Sequence, residues 1–338
     1  MTPEIHALIL AAGKGTRMKS ELPKVVHPIL GRPMVSYVID AVKAIGCEKT
    51  ILVTGYKSEL VKSSLNQTGL SYVEQKEQLG TGHAVQCYAK EAKHHPQHLL
   101  VVCGDTPLIS TDTLKIMVEM HLREQPAITM MTLMMNEPGN YGRVLRKNGA
   151  VMAIREAKDC KAEELLVKEV NLAVYLFNAE FLFNNIFSLT SENKQKEYYL
   201  TDLVEIAVQK GLKVAACIEK DEASTLGINS RQHLAEVSAI LQNQILTRLM
   251  DSGVTITSPE NIFIGPDVTI EPDTTIHPGT MLSGECRIGR DCVIGPNCHI
   301  TDSSIGDNSR VEFCVISDAS LPENSKIKPF TVINGGNK

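Results

Sequence analysis

The 338-residue chain has no tryptophan, and its seven phenylalanines and eight tyrosines offer little for stacking the bases of a single strand. It also lacks a positive balance. Thirty-four basic against 39 acidic residues leave a formal net charge of −5, which excludes a global field drawing it to nucleic acid or an anionic membrane. No apolar run approaches the ~18 residues that span a bilayer; the one at 7–12 is far too short. The start, Met1-Thr2-Pro3-Glu4, has neither the basic nor the long apolar region of a secretory signal. The nine cysteines are odd in number and contain no C-x-x-C, as expected of reduced thiols in a cytoplasm rather than a disulfide framework. What remains is a cytoplasmic globular chain, with length for about two domains at ~150 residues each. Any anionic ligand must be held by a local cluster of positive groups.

The chain divides near residue 253. Before about 228, strand-like runs at 5–10, 50–54, 99–103 and 128–134 alternate with helical patterns at 34–45, 58–65 and 111–123. That order predicts an α/β fold with a mostly parallel sheet, whose ligands sit beyond the carboxyl ends of the strands. Residues 230–252 then read as a connector helix with Leu234, Val237, Leu241, Ile245 and Leu249 on one stripe and Gly253 as its cap. The expected division is 1–229, a nucleotide-handling domain, 230–253, the connector, and 254–338, a repeat.

In that repeat Ile264, Ile270, Ile276, Leu282, Ile288, Ile294 and Ile300 recur every six residues, and small residues follow four positions later: Val268, Thr274, Thr280, Cys286, Cys292, Cys298 and Ser304. One aliphatic and one small inward position per six residues is the signature of a hexapeptide β-helix. The register shortens by one at Ile305 and Ile316 and continues through Ile327 and Ile333, giving four coils of 18 over residues 262–333 and a polar tail, Asn334 to Lys338. Cys286, Cys292 and Cys298 fall at the small inward position. That favours a packing ladder over a metal site, whose paired ligands lie closer together.

The strongest chemical signal is Leu10-Ala11-Ala12-Gly13-Lys14-Gly15-Thr16-Arg17-Met18, followed by Leu22-Pro23-Lys24. A buried strand opens into a glycine loop whose backbone N–H groups can approach a phosphate. Lys14, Arg17, Lys19 and Lys24 against Glu21 give it a local charge of +3. It is neither a Walker A loop, because Gly15 follows Lys14, nor a dinucleotide fingerprint, because Met18 stands at the third glycine. Asp105 follows an apolar run and suits an oxygen-liganded metal such as Mg²⁺, or equally a turn. Asn229 offers a second oxygen, or with Gln232 a capping box for the connector helix.

With these motifs the chain resembles the sugar-nucleotide pyrophosphorylases. Within them it is similar to the bacterial bifunctional family that makes UDP-N-acetylglucosamine, a uridyltransferase fused to an acetyltransferase. Further motifs carry the likeness over most of the chain: Gln75, Gln78-Leu79-Gly80-Thr81-Gly82-His83-Ala84, Gly104-Asp105-Thr106-Pro107-Leu108, Tyr141-Gly142-Arg143, Glu197-Tyr198-Tyr199-Leu200-Thr201-Asp202 and Gly227-Ile228-Asn229-Ser230. The resemblance implies a Rossmann-like nucleotidyltransferase domain followed by a short left-handed parallel β-helix. It implies UTP and N-acetylglucosamine 1-phosphate as substrates, Mg²⁺ on Asp105 and Asn229, and Arg17 and Lys24 as the catalytic cations. Leu10, Ala11, Ala12, Gly13, Gln75, Gly80 and Thr81 would hold uracil and ribose. Lys24, Asp105 and Asn229 would line the phosphate side, Gly142, Glu156 and Asn171 the amino sugar, with Cys103 and Gly104 also binding substrate and Cys103 beside the sugar pocket. By the same resemblance the β-helix would form a homotrimer.

This sequence departs from the family in three places. Cys103 replaces a tyrosine, Asn171-Leu172-Ala173 replaces Asn-Thr-Gly, and the repeat stops where the relatives continue into acetylating coils. The expectation is therefore uridylyl transfer without acetyl transfer. The rivals are another sugar 1-phosphate or nucleotide, a hexapeptide acyltransferase with His277 or His299 as base, and a non-catalytic assembly protein.

Overall fold

Strands that bury both faces carry mostly apolar side chains, and six of the seven residues of the first strand are aliphatic or alanine facing alternate sides of one sheet. The structure, a computed structural model, describes residues 3–65 and 67–335. Gly336, Asn337 and Lys338 of the expected polar tail lie outside the described residues. The chain forms two compact units. One is built on Pro33–His233 with the segment up to His27, the other on Pro28–Arg32 with the residues from Leu234.

The first unit contains β1 (Ile5–Ala11) and, after a small hairpin of β2 (Pro28–Ile29) and β3 (Arg32–Pro33) that belongs to the second unit as far as Arg32, β4 (Lys49–Thr54), β5 (Leu70–Glu74), β6 (His98–Cys103) and β7 (Ile128–Met134). It continues with β8 (Arg143–Lys147), β9 (Ala150–Arg155), β10 (Glu169–Asn178) and β11 (Val214–Glu219). Its helices are α1 (Met34–Ala44), α2 (Ser58–Ser63), α3 (Thr81–Glu91), α4 (Thr111–Glu124), α5 (Ala179–Asn185) and α6 (Asp202–Gln209). The main sheet runs β11-β7-β10-β6-β1-β4-β5, with β8 on β10 and β9 on β8. Strands β5, β4, β1 and β6 are parallel, and β10 lies antiparallel between β6 and β7. This is the mixed, mostly parallel sheet that the alternation of elements predicts.

Side-chain alternation sorts the two cores. Ala7, Ile9 and Ala11 of β1 with Leu100 and Val102 of β6 pack against Val35, Val38 and Val42 of α1. Leu8, Leu99 and Val101 point the other way, onto Val85 of α3 and Leu203 and Val204 of α6. With helices on both faces, the loops that leave the carboxyl ends of β1, β4, β5 and β6 gather along one edge, where a parallel sheet presents its ligand site.

The second unit begins within α7 (Arg231–Asp251). Val237, Leu241, Ile245 and Leu249 form its buried stripe with Leu246, while Leu234 is only half-buried. Gly253, at φ 95°, ends the helix: its N–H donates to Met250 O at 3.0 Å and that of Val254 to Leu249 O at 3.0 Å, a Schellman pair. The hairpin tip belongs to this unit too, with Leu30 packed on its core.

Beyond α7 the hexads form a left-handed parallel β-helix, three parallel sheets of five, five and four short strands. Its aliphatic and small inward residues fill one continuous core, from Ile256 to Ile316. Positive φ recurs at the bends, at Asp273, Asp291, Asn308 and Asn324 in one column and at Gly279, Asn297, Phe313 and Phe330 in another. Asn, Asp and Gly adopt this backbone most readily, which accounts for their frequency between the inward positions.

Three details of the repeat differ from expectation. The coils number more than four, because Thr255–Ile256 already pairs with Thr275–Ile276. They also shorten from 18 residues, as in Thr275 with Val293, to 16, as in Ser304 with Ser320, since a third residue is dropped before Leu321. The first shortening falls ahead of the small position, so Ser303 is buried and Ser304 faces outward, its hydroxyl 2.8 Å from that of Ser320. Finally, Cys286, Cys292 and Cys298 belong to successive faces rather than one column. Cys292 stacks instead on Thr274, whose hydroxyl accepts the Cys292 N–H at 3.0 Å. All three thiols are free, and burial pushes each above the usual range.

Candidate functional site

The glycine loop after β1 is shaped by its packing on Lys24. Gly15 sits at φ 67°, and a Cβ there would stand 2.5 Å from the Lys24 Cβ, so the loop tolerates no side chain at that turn. Lys24 opens a single helical turn, Lys24–Val26, that is anchored by buried Val25 and Val26. Its ammonium reaches the carboxyl end of β6, where it pairs with Asp105 Oδ2, and it donates to Asn229 Oδ1 at 2.8 Å. Arg17 Nη2 donates to the same Asn229 oxygen at 2.8 Å. Four residues from four separate segments thus meet.

Backbone contacts hold them there. The Gly104 N–H donates to Leu10 O at 2.9 Å, extending the β1–β6 pairing by one step and fixing the turn that carries Asp105. The Asp105 carbonyl accepts from Ile228 N at 2.9 Å, which brings the 227–229 segment alongside. Asn229 does not cap α7. The Ser230 hydroxyl does so, accepting from His233 N at 3.2 Å, and this frees the Asn229 carboxamide for the site. Asp105 Oδ2 and Asn229 Oδ1 converge on one cationic nitrogen, so two hard oxygens already focus on a position that a divalent cation would suit.

A cleft opens from this cluster along the sheet edge. It is lined by Leu10, Ala11, Ala12, Gly13, Lys24, Gln75, Gly80, Thr81, Cys103 and Asp105, all anticipated, and by Val25, Gln78, Ala84 and Glu197, which were not. Gln75 is buried, and its Nε2 donates to Gly80 O at 3.1 Å. Gly80 has φ 108°, and a Cβ there would lie 2.7 Å from Tyr198 O. The 197–201 segment is latched at that point: Tyr198 N donates to Leu79 O at 2.8 Å and Leu200 N to the Thr81 hydroxyl at 3.1 Å. This latch carries Glu197 into the cleft. Gln78 and Glu197 both lie in motifs legible in the sequence, but no spacing there shows that the two segments meet. Burial pushes the Cys103 thiol up to about 12, so it lines the cleft as an uncharged group.

Gly142, Asn171 and Glu156, the residues expected at the amino sugar, are brought together outside this lining. Gly142 O accepts from Asn171 N at 2.9 Å, and a Cβ on Gly142 would stand 3.6 Å from Glu156 Oε1. Asn171 Nδ2 donates to the Tyr175 hydroxyl at 2.6 Å. Glu156 lines a second depression with Asp159, Tyr199 and Asp202, where burial raises its carboxyl and the Thr201 hydroxyl, donating at 3.4 Å, partly offsets this. Arg17, Gly104 and Asn229 likewise stand outside the lining of the main cleft.

Comparison with known proteins accords with this arrangement. Residues 7–167 match the family described as MobA-like NTP transferase domain, and residues 267–302 and 285–318 match Bacterial transferase hexapeptide (six repeats). The bifunctional protein GlmU of Syntrophotalea carbinolica is 39% identical over 333 residues, covering 98% of this chain and 68% of the relative. That of Clostridium novyi is 42% identical over 334 residues, covering 98% of this chain and 73% of the relative. The chain belongs to the GlmU family. Among solved structures, an apo UDP-glucose pyrophosphorylase superposes with a TM-score of 0.59 at 19% identity, over 71% of this chain and 99% of that one. A putative glucose-1-phosphate thymidylyltransferase from Bacillus anthracis gives 0.57 at 18% identity, over 70% and 94%. At these identities the two structures bear on the fold alone, a nucleotidyltransferase fold at the head of a GlmU-family chain.

Proposed function

We propose that the chain is a uridylyltransferase, making UDP-N-acetylglucosamine and pyrophosphate from UTP and N-acetylglucosamine 1-phosphate. The observation that carries this reading is the meeting of Arg17, Lys24, Asp105 and Asn229 at the mouth of a cleft with an amide-lined inner end. Such a cleft suits a base and ribose inside and a triphosphate at the mouth. Membership of the GlmU family directs the choice of uridine and of the amino sugar.

In the reaction a phosphate oxygen of the sugar 1-phosphate attacks the α-phosphorus of UTP. A new P–O bond forms as the bond to the bridging oxygen breaks and pyrophosphate departs. The attacking oxygen is already anionic, so no proton needs to move and no nucleophilic side chain is required. Catalysis rests on alignment and on neutralising crowded negative charge. Gly13 and its neighbours bring backbone N–H groups to the triphosphate, Arg17 stabilises the charge growing on the departing pyrophosphate, and Lys24 holds the reacting phosphates. Asp105 and Asn229 would hold Mg²⁺, which when bound supplies fixed positive charge beside the phosphates. Lys24 Nζ rests on those same two oxygens, within reach of phosphates held beside them, so a metal there would free its ammonium to bind them. Gly142, Asn171 and Glu156 orient the sugar through its hydroxyls and acetamide.

Among the described residues no helix is long and apolar enough to cross a membrane. All nine thiols are free, which suits a cytoplasmic enzyme. The β-helix offers a face for self-association, where Met281, Val315 and Val332 stack outward around His299 and are 44%, 44% and 65% exposed. A homotrimer through that face is the expected assembly, to be read by light scattering.

The test of the reaction supplies UTP, CTP, dTTP and ATP in turn with a panel of sugar 1-phosphates and follows pyrophosphate release. Release with UTP and N-acetylglucosamine 1-phosphate above all other pairs supports the proposal. Release confined to another pair replaces the substrate, and none at all removes the activity.

A further inference from the structure

A second group of polar side chains lies at the opposite end of the main sheet. Strands β1, β4 and β6 are parallel, so their amino ends share one edge, remote from the loops that leave their carboxyl ends. Glu4 and His6 stand at the start of β1, Glu48 immediately before β4, and His94 between α3 and β6. We propose that Glu4, His6, Glu48 and His94 form a cation site for a borderline divalent metal, zinc being the best fit.

The geometry is nearly assembled. His6 Nε2 lies 2.9 Å from Glu4 Oε1, and His94 Nε2 lies 2.9 Å from both Glu4 oxygens. One ligand atom each from Glu4, His6 and Glu48 fall within 4.8 Å of one another. Two ligands on one tetrahedral zinc, each bonded at about 2.0–2.2 Å, stand ~3.4 Å apart, so small side-chain rotations bring Glu4, His6 and Glu48 to bonding positions, and His94 joins them from its contact with Glu4. The backbone is fixed beforehand: Glu48 N donates to Ile5 O at 2.9 Å, His98 N to Glu4 O at 3.1 Å and Glu4 N to the Gln97 side chain at 3.1 Å.

His6 points to a ligand independently of the acidic residues around it. The residue is only 2% exposed, and its Nε2 is a buried atom whose 2.9 Å contact with Glu4 Oε1 does not complete a hydrogen bond. A buried imidazole nitrogen without a partner is unusual, and a bound cation would satisfy it. His94 and Glu48 are exposed, which leaves an open approach from solvent.

Ligand chemistry separates this site from the phosphate site. Two imidazoles with two carboxylates suit zinc, whereas the oxygen pair of Asp105 and Asn229 suits magnesium. Uridylyl transfer uses none of the four residues, so the inference stands apart from the proposed reaction. A metal here would join the starts of β1 and β4 to the segment that follows α3, whose other end forms part of the nucleotide cleft.

The full-length, metal-free protein is titrated with zinc chloride alone by calorimetry and with cobalt(II) by visible spectroscopy. The expected result is one saturable site with tetrahedral cobalt bands and no thiolate charge-transfer band. Affinity should fall about tenfold or more in His94→Ala and in Glu48→Gln, both exposed positions that leave the fold intact, and remain unchanged in Asp105→Asn. The proposal is overturned by the absence of saturable binding, by equal affinity in the wild type and His94→Ala, or by loss of the site in Asp105→Asn. A thiolate band would also overturn it, since none of the four proposed ligands carries a thiol.

Discussion

Lys24 Nζ lies 2.8 Å from Asn229 Oδ1, joining residues 205 positions apart. The same ammonium contacts Asp105, so one cation holds together the two oxygens best suited to a metal. Replacing it separates two effects. Lys24→Met removes the internal competitor for those oxygens and also removes a phosphate ligand. Half-maximal activity should then need less Mg²⁺ than in the wild type, while kcat falls roughly a hundredfold or more. A magnesium titration of initial rates checks both, and a raised magnesium requirement would show that Lys24 does not compete for the site.

Arg17 is exposed and donates to Asn229, so its removal should leave the fold unchanged. If it acts on charge that develops only during the reaction, Arg17→Ala lowers kcat roughly a hundredfold with little change in KM for either substrate. Steady-state kinetics decide the matter, and an unchanged kcat removes Arg17 from the mechanism.

Adjacent residues at the start of α7 divide two roles between them. Ser230→Ala loses the helix cap and should cost about 1 kcal/mol by urea unfolding, with no change in magnesium dependence. Asn229→Ala should do the reverse, raising the magnesium needed for half-maximal rate while leaving the unfolding midpoint nearly unmoved. Matching effects from the two variants would return Asn229 to a capping role.

That pair shows where the sequence was legible and where it was not. Asn229 and Gln232 have the spacing of a capping box, and spacing alone could not reveal that Ser230 takes the cap. The alternation of strands and helices, the glycine loop after β1 and the hexad period are local patterns, and each appears where the sequence puts it. The placement of Glu197 depends instead on backbone pairing between residues more than a hundred positions apart, which leaves no periodic trace. In the β-helix the period located the core, but a dropped residue exchanged the roles of Ser303 and Ser304, because the inward position is counted back from the next aliphatic residue and not forward from the last.

Ala173 marks a place where the chain accepts strain beside Asn171. Its φ is 55°, in the register shift of β10 between Asn171 and Tyr175, and its N–H donates to Asn171 Oδ1 at 3.2 Å. A left-handed alanine costs roughly 1 kcal/mol that glycine avoids. Ala173→Gly should therefore raise stability by up to about 1 kcal/mol, less the added freedom of the unfolded chain, with the fold unchanged. Urea unfolding reads the change, and a loss of stability would mean that the methyl group contributes packing worth more than the strain.

The pH dependence of stability should carry a signature of Asp202. Burial raises its carboxyl from 3.8 to about 6, with Glu205 and Asp159 adding to the rise and Arg155 opposing it. The residue opens α6, where the helix dipole favours a carboxylate, yet the value is raised, so desolvation outweighs the dipole. A raised value means that the folded chain binds this proton more tightly than the unfolded one. The stabilisation from that proton is complete below 3.8 and is lost as the pH climbs through about 6. Asp202→Asn keeps the shape without the ionisation, so its stability relative to the wild type should rise between pH 4 and pH 7. Urea midpoints of the two proteins measured side by side across that range cancel the other carboxyls. A difference that stays flat, or falls, with rising pH would mean that Asp202 is solvated in the folded chain and ionises at its ordinary value.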